Sequence, residues 1–265
     1  MGRGIDTIRS LDRLLLSAIH RCRNVLGDGL LDFFTYPAKA GSFWNRIVRG
    51  AYSPEDPKIQ VDIPQQSLAT IFPEIGDTPV TLVDYIDTPE VMPINELLTV
   101  CQLVHLREPK VIFEIGTFLG GTTLQLAANS QAEVYTLDLP PRGHKEYRQP
   151  QVWDPELDLY PDQPGVRFRG STWGERIHQL FGNSQDYNFT PYYGSVDFVF
   201  VDGCHHYEFV MSDSQNALKM MSANGIIIWH DYATYAPGVV QALNELSKLV
   251  PLVHIAGTSL VIHTR

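Results

Sequence analysis

The side chains most able to do chemistry fall in two short segments. The first is Val201-Asp202-Gly203-Cys204-His205-His206-Tyr207, and the second is Ile226-Ile227-Ile228-Trp229-His230-Asp231-Tyr232. Each follows or ends an apolar run with the texture of a buried strand, so each would stand at a strand's carboxyl end. Asp202, His205, His206, His230 and Asp231 would then meet in one neighbourhood. Carboxylates mixed with imidazoles suit a divalent-metal site that keeps a spare imidazole for proton transfer. Bland alternatives exist for several of them. Asp202 before Gly203 could cap a helix, and His206 and Tyr207 read as packing or hydrogen-bonding residues. Cys204 beside His205 has the composition of a thiol nucleophile pair, yet neighbours in sequence seldom face one another.

A third segment has the chemistry of ligand binding: Glu114-Ile115-Gly116-Thr117-Phe118-Leu119-Gly120-Gly121-Thr122-Thr123. Gly116 would let the chain turn sharply under a ligand, Gly120 and Gly121 would let backbone approach it, and Thr122 offers a hydroxyl at a helix start. Asp138, at the end of the next strand, is suited to accept hydrogen bonds from two ribose hydroxyls. Together they form a nucleoside-binding signature. A phosphate-binding Walker loop would need a lysine after the glycines, and none is present; a dinucleotide turn would want glycine where Phe118 stands.

The elements that must position these residues alternate along the chain. From residue 94 we expect a helix Asn95 to Arg107, strand Lys110 to Glu114, helix Gly120 to Asn129 and strand Val134 to Leu137. After a Pro-rich loop come strand Val166 to Arg169, helix Thr172 to Phe181, strand Val196 to Val201 and helix Glu208 to Met221. Strand Gly225 to Trp229, helix Gly238 to Leu249, and strands Leu252 to Ile255 and Ser259 to Ile262 complete the series. The pattern predicts a doubly wound α/β domain over 94–265, with a mostly parallel, seven-stranded Rossmann-like sheet ending in an antiparallel hairpin. The loop 139–165 is long enough to be a substrate-binding element.

Residues 1–93 read as an extension. Ile8, Leu11, Leu15, Ala18, Ile19, Cys22 and Leu26 form the stripe of an amphipathic helix ended by Gly27-Asp28-Gly29, a surface for packing, for a homo-oligomer or for a membrane face. Residues 37–93, rich in Pro, Gly and aromatics, read as an irregular cover. The formal charge of -10 argues against a nucleic-acid partner. Three scattered cysteines make no disulfide framework, and no apolar run has the length of a membrane span, so a cytoplasmic protein without a transmembrane segment is expected.

The spacing ExGxxxGG, the strand-end Asp138, VDGxHxY and the IIIWHDY segment resemble class I S-adenosylmethionine-dependent methyltransferases. The resemblance is to the family of macrocin- and mycinamicin-type sugar O-methyltransferases and cephalosporin-hydroxylase-like proteins, and it covers about residues 94–265. It implies transfer of a methyl group from S-adenosylmethionine to a hydroxyl of a small-molecule acceptor: a sugar, a glycoside or a related natural product. It further implies that Glu114, Gly116, Thr117, Gly120, Gly121, Thr122, Asp138 and Ser171 hold the donor. Asp202, His230 and Asp231 would be metal ligands and His205 the general base, with Mg²⁺ or Mn²⁺ ahead of Fe²⁺ or Zn²⁺. His230 stands where relatives often have Glu, so its place among the ligands is open. Two rival functions are a metal-dependent oxygenase using His205, His230 and Asp231, and a non-catalytic protein that binds adenosylmethionine or a nucleotide.

Overall fold

The computed structural model describes residues 60–86, 91–145, 147 and 160–265. The expected N-terminal helix, with the oligomer contact assigned to it, and the middle of the 139–165 loop lie outside these residues.

Eight strands form one sheet: β1 (Gln65–Gln66), β2 (Val111–Ile115), β3 (Glu133–Asp138), β4 (Ile177–Phe181), β5 (Val196–Val201), β6 (Met221–Trp229), β7 (Val253–Ile255) and β8 (Val261–Thr264). Their order is β1-β7-β8-β6-β5-β2-β3-β4. Pairings are parallel except that β8 runs antiparallel to β6 and β7. The sheet is therefore the expected doubly wound, Rossmann-like one with a terminal antiparallel hairpin. The eighth strand is Gln65–Gln66, too short and too polar to show as a period in sequence.

Alternation within the strands divides the core in two. Phe113, Ile115, Val199, Val201, Ile227 and Trp229 join one apolar cluster, while Ile112, Phe198, Phe200, Ile226 and Ile228 join the other. Helices α4 (Tyr207–Met220) and α5 (Pro237–Leu246) contribute to the first cluster, and α2 (Ile94–Arg107) and α3 (Gly121–Ala128) to the second. Both faces are thus dry, which is why these strands are continuous apolar runs rather than alternating ones.

Residues 60–86 hold to this body through polar as well as apolar contacts. A short helix, α1 (Leu68–Ile71), is capped by the Ser67 hydroxyl, which accepts from the Thr70 N–H, and Phe72 and Ile75 are buried beside it. Asn129 exchanges hydrogen bonds with both backbone groups of Thr81 (2.7 and 2.8 Å), and Gln125 accepts from the Val83 N–H (3.0 Å).

The expected strand at 166–169 and helix at 172–181 are corrected by the structure. The segment 164–172 is a run of turns, and Ile177–Phe181 is strand β4, paired in parallel with β3. Gly165 and Gly170, at φ of 74° and 73°, bend the chain where a strand would continue. The apolar spacing of Ile177, Leu180 and Phe181 imitates a helix, but pairing along the edge of β3 decides the conformation.

Candidate active site

The strand order reverses at β2 and β5, and ligand crevices of such sheets open outside the carboxyl ends at that point. Here the two ends touch. The Asp202 N–H donates to the Ile115 carbonyl (2.8 Å), and a Cβ on Gly116 would lie 1.8 Å from the Asp202 carbonyl oxygen. Gly116 has φ of 103°. Gly116→Ala is therefore expected to lose roughly 2–5 kcal/mol of stability, joining backbone strain to overpacking. Urea denaturation reads this directly, and a variant as stable as the wild type would remove the tight contact.

The glycine turn is built around two carboxylates. Glu114 is fully buried on β2, and register places Thr136 of β3 beside it. Glu114 Oε2 accepts from the Thr136 hydroxyl (2.6 Å) and from the Thr123 hydroxyl on α3, while Oε1 is buried without a partner. Burial pushes the Glu114 carboxyl up to about 8, against the lowering effect of those two hydroxyls. Asp138 Oδ2 accepts from the N–H groups of Thr117 (2.8 Å) and Phe118 (2.7 Å), and Oδ1 from that of Leu139 (2.7 Å). The Tyr160 hydroxyl donates to the Leu139 carbonyl beside it, and the acid expected for ribose already holds its own turn together. Thr117 is buried with its hydroxyl on Thr136 (2.6 Å).

Gly120 precedes α3 with φ of 81°. The Phe168 ring and Gly165 backbone lie so close that a Cβ on Gly120 would meet them at 2.5 and 2.9 Å. The N–H groups of Gly165 and Arg167 donate to the carbonyls of Phe118 (2.7 Å) and Leu119 (2.9 Å), so the end of the long loop is strapped along the glycine turn. Gly121 and Thr122 are half-buried at the helix start. Ser171 sits in the turn after Phe168, its hydroxyl buried and unpaired, with no hydrogen bond to the glycine turn.

The second centre lies at the ends of β5 and β6. Their register pairs Val201 with Trp229, which brings Asp202 and His230 side by side, and the His230 N–H continues the ladder to the Val201 carbonyl (3.1 Å). His230 Nδ1 lies 2.9 Å from Asp202 Oδ1 and 3.1 Å from Asp231 Oδ2. Its Nε2 lies 2.8 Å from Glu96 Oε2, on α2. His205 Nε2 lies 2.9 Å from Asp231 Oδ2, and the Tyr235 hydroxyl donates to Asp231 Oδ1. Asp231 holds a left-handed φ of 60°, rare for a residue with a side chain and a mark of strained functional positions.

Asp202, His205 and Asp231 each offer a ligand atom within 4.8 Å of the others. Both His230 nitrogens are taken up by carboxylates instead. Burial would make Asp231 harder to ionise, yet the imidazoles of His230 and His205 hold it well below the ordinary range. Burial likewise opposes a charge on His230, and Asp231 and Asp202 nevertheless raise it well above its ordinary value. His206 faces outward to Glu208 and Tyr207 to Glu245, the ordinary hydrogen-bonding roles expected of them.

Sequence reasoning missed Glu96, Thr123, Thr136 and Tyr235. Thr123 could have been found as the neighbour of Thr122, and Thr136 as the residue opposite Glu114 in a parallel pairing. Glu96 carries no such signal.

Residues 113–232 match the sequence model of a family described as a methyltransferase domain. That span begins beside Glu114 and ends beside Asp231, enclosing both centres. By this match the span resembles a methyltransferase domain. Solved structures similar to it include the Podospora anserina methyltransferase PaMTH1 bound to SAH, at 19% identity, covering 69% of this chain and 83% of that one with a TM-score of 0.49. An O-methyltransferase from Bacillus cereus, in complex with SAH, shares 16% identity over 66% of this chain and 83% of that one, TM-score 0.47. TomG from Streptomyces achromogenes, an O-methyltransferase of tomaymycin synthesis in complex with SAM, shares 16% over 66% and 81%, TM-score 0.47. No curated protein sequence matches the chain. Among the described residues, no helix is long and apolar enough to cross a membrane.

Proposed function

We propose that the chain transfers a methyl group from S-adenosylmethionine to a hydroxyl of a small-molecule acceptor, of the sugar, glycoside or related natural-product class. The observation that carries this reading is the meeting of the two centres, within the matched domain, at the carboxyl ends of the adjacent strands β2 and β5.

The donor site fits its ligand at one decisive atom. Glu114 Oε1 is a buried oxygen without a partner, and the methionine ammonium of the donor is the group that would satisfy it. Gly116, Thr117, Gly120, Gly121 and Thr122 supply the turn around it. Asp138 would reach the ribose with the lone pairs that its backbone contacts leave over, and Ser171 would lend its unpaired hydroxyl from the strapped segment. When bound, S-adenosylmethionine supplies a methyl group already activated on a sulfonium. What remains for the chain is alignment and removal of the acceptor's proton.

His205 is the proton acceptor in this reading. Asp231, 2.9 Å away, orients the ring and stabilises the imidazolium formed as the methyl carbon is transferred to the acceptor oxygen. Asp202 and Asp231 are the carboxylates that would hold a divalent ion, and such an ion would lower the pKa of a hydroxyl placed on it. Carboxylate oxygen donors suit Mg²⁺ or Mn²⁺. A second reading makes His205 the third ligand, favoured by the convergence of its ring nitrogen with both carboxylates.

The test is release of adenosylhomocysteine against a panel of sugars, glycosides and phenols, with and without EDTA. We expect turnover on at least one hydroxyl acceptor, abolished by chelation. Donor binding without turnover on any acceptor would favour a binding protein, and full activity in EDTA would remove the ion. Donor binding is also expected to release about one proton at pH 7. A carboxyl at about 8 is mostly protonated there, and a neighbouring ammonium favours its ionised form, so donor affinity should rise with pH up to about 8. Calorimetry in two buffers of different ionisation enthalpy counts the proton. Glu114→Gln should abolish its release and weaken donor binding about 10–100-fold, the loss of one charge-assisted hydrogen bond. Unchanged affinity in that variant would detach Glu114 from the donor.

A further inference from the structure

Glu96 is a carboxylate in the first turn of α2, where an acidic residue ordinarily faces solvent and complements the helix dipole. Here it is buried, and both of its oxygens are engaged by groups far away in sequence. Oε2 lies 2.8 Å from His230 Nε2, and Oε1 accepts the N–H of Ser259 at the start of the terminal hairpin. The opposite nitrogen of the same imidazole, Nδ1, lies 2.9 Å from Asp202 Oδ1 and 3.1 Å from Asp231 Oδ2. His230 itself is buried, and its backbone continues the β5–β6 ladder. The ring is thus pinned at both ends by carboxylates, one from α2 and two from the strand ends.

The geometry points to Glu96 as a positioning residue of the Asp202–Asp231 centre, acting through the imidazole of His230. This rests on the O-methyltransferase reading above, and gives that site a member lying outside residues 113–232, on a helix that precedes the matched domain. The physical case is one of orientation. An imidazole that donates from both nitrogens must find two acceptors, and a buried ring with only one would leave an N–H unsatisfied. Glu96 supplies the far acceptor, so the near N–H stays aimed at Asp202 and Asp231 and holds both carboxylates in place. Hydrogen-bond partners behind a metal-binding group orient it in this way, and removing one typically costs 10–100-fold in metal affinity or activity. The Ser259 contact anchors Glu96 in turn, tying the centre's geometry to the hairpin.

Glu96→Gln keeps the volume but cannot accept from His230 and Ser259 at once through two carboxylate oxygens. The experiment compares wild type, Glu96→Gln, His230→Asn and the double variant by calorimetric titration with Mn²⁺ and by NMR of ¹⁵N-labelled histidine rings. We expect Glu96→Gln to weaken Mn²⁺ binding about 10–100-fold. The double variant should bind no more weakly than His230→Asn alone, because Glu96 acts only through that ring. In the wild type both His230 ring nitrogens should carry slowly exchanging protons, and Glu96→Gln should lose the one on Nε2. Glu96→Asp, which retains a carboxylate, should restore part of the signal and of the Mn²⁺ affinity, and it serves where the Gln variant does not fold. Mn²⁺ affinity unchanged in Glu96→Gln, or losses that simply add in the double variant, would overturn the inference. An unprotonated Nε2 in the wild type would do the same. A wild type that takes up no Mn²⁺ but shows both ring protons, with Nε2 lost in Glu96→Gln, would sink the metal reading and leave the positioning role standing.

Discussion

His205→Gln is expected to lower kcat by about 10²–10⁴-fold once an acceptor is in hand, the usual span for loss of a general base. The His205 ring stands with Nε2 2.9 Å from Asp231 Oδ2, the contact that would orient it as a proton acceptor. Gln preserves size and polarity but cannot take a proton, so the loss falls on kcat while donor affinity stays near that of the wild type. Mn²⁺ titration of the same variant separates the two uses of the ring. Metal affinity kept with turnover lost supports the base, whereas metal affinity lost, with turnover recovered at high Mn²⁺, makes His205 a ligand.

Asp231→Asn should be the most damaging single change in stability, because this carboxylate is the shared counter-charge of two imidazoles. Removing one partner of a buried ion pair leaves the other charge uncompensated, at about 3–5 kcal/mol. Its pH dependence identifies the cause. Asp231 has a depressed folded value, burial notwithstanding, because of His230 and His205. Its contribution is therefore present above the unfolded carboxylate value near 3.8 and disappears as pH falls through the lower folded value. His230 acts in the opposite sense: its raised value contributes stability below its ordinary 6.5 that is lost as pH rises through the folded value. Urea denaturation of wild type and variant from pH 3 to pH 9 should accordingly show the largest difference between the two groups' ordinary values, 3.8 and 6.5, narrowing toward both ends. A difference that stays constant over that range would mean that packing, not charge, makes Asp231 important.

The two centres could be read from the chain because each is local. Glu114 through Thr123 is one continuous turn, and its glycines sit where the backbone must fold sharply or lie against another segment, as Gly116 does against Asp202. Asp202 and His230 each end an apolar strand, and once two strands are taken as parallel neighbours their ends must coincide. The sheet itself was legible for the same reason: β2, β5 and β6 are buried on both sides and show it as unbroken runs of Ile, Val and Phe.

Other features depend on partners that sequence does not name. Ile177–Phe181 has the spacing of a helix and becomes strand β4 because the edge of β3 is available to pair with it. Gln65–Gln66 becomes a strand only because β7 stands open beside it. Asp138 has the position of a ribose acceptor, but only the folded turn shows its oxygens turned on the N–H groups of Thr117, Phe118 and Leu139. The division of work between His205 and His230 is of the same kind. Residue type and spacing settle that both imidazoles arrive at the strand ends beside Asp202 and Asp231. Which ring nitrogen meets which carboxylate depends on Glu96, 134 positions away from His230, and a long-range contact of that kind leaves no periodicity or motif in the chain.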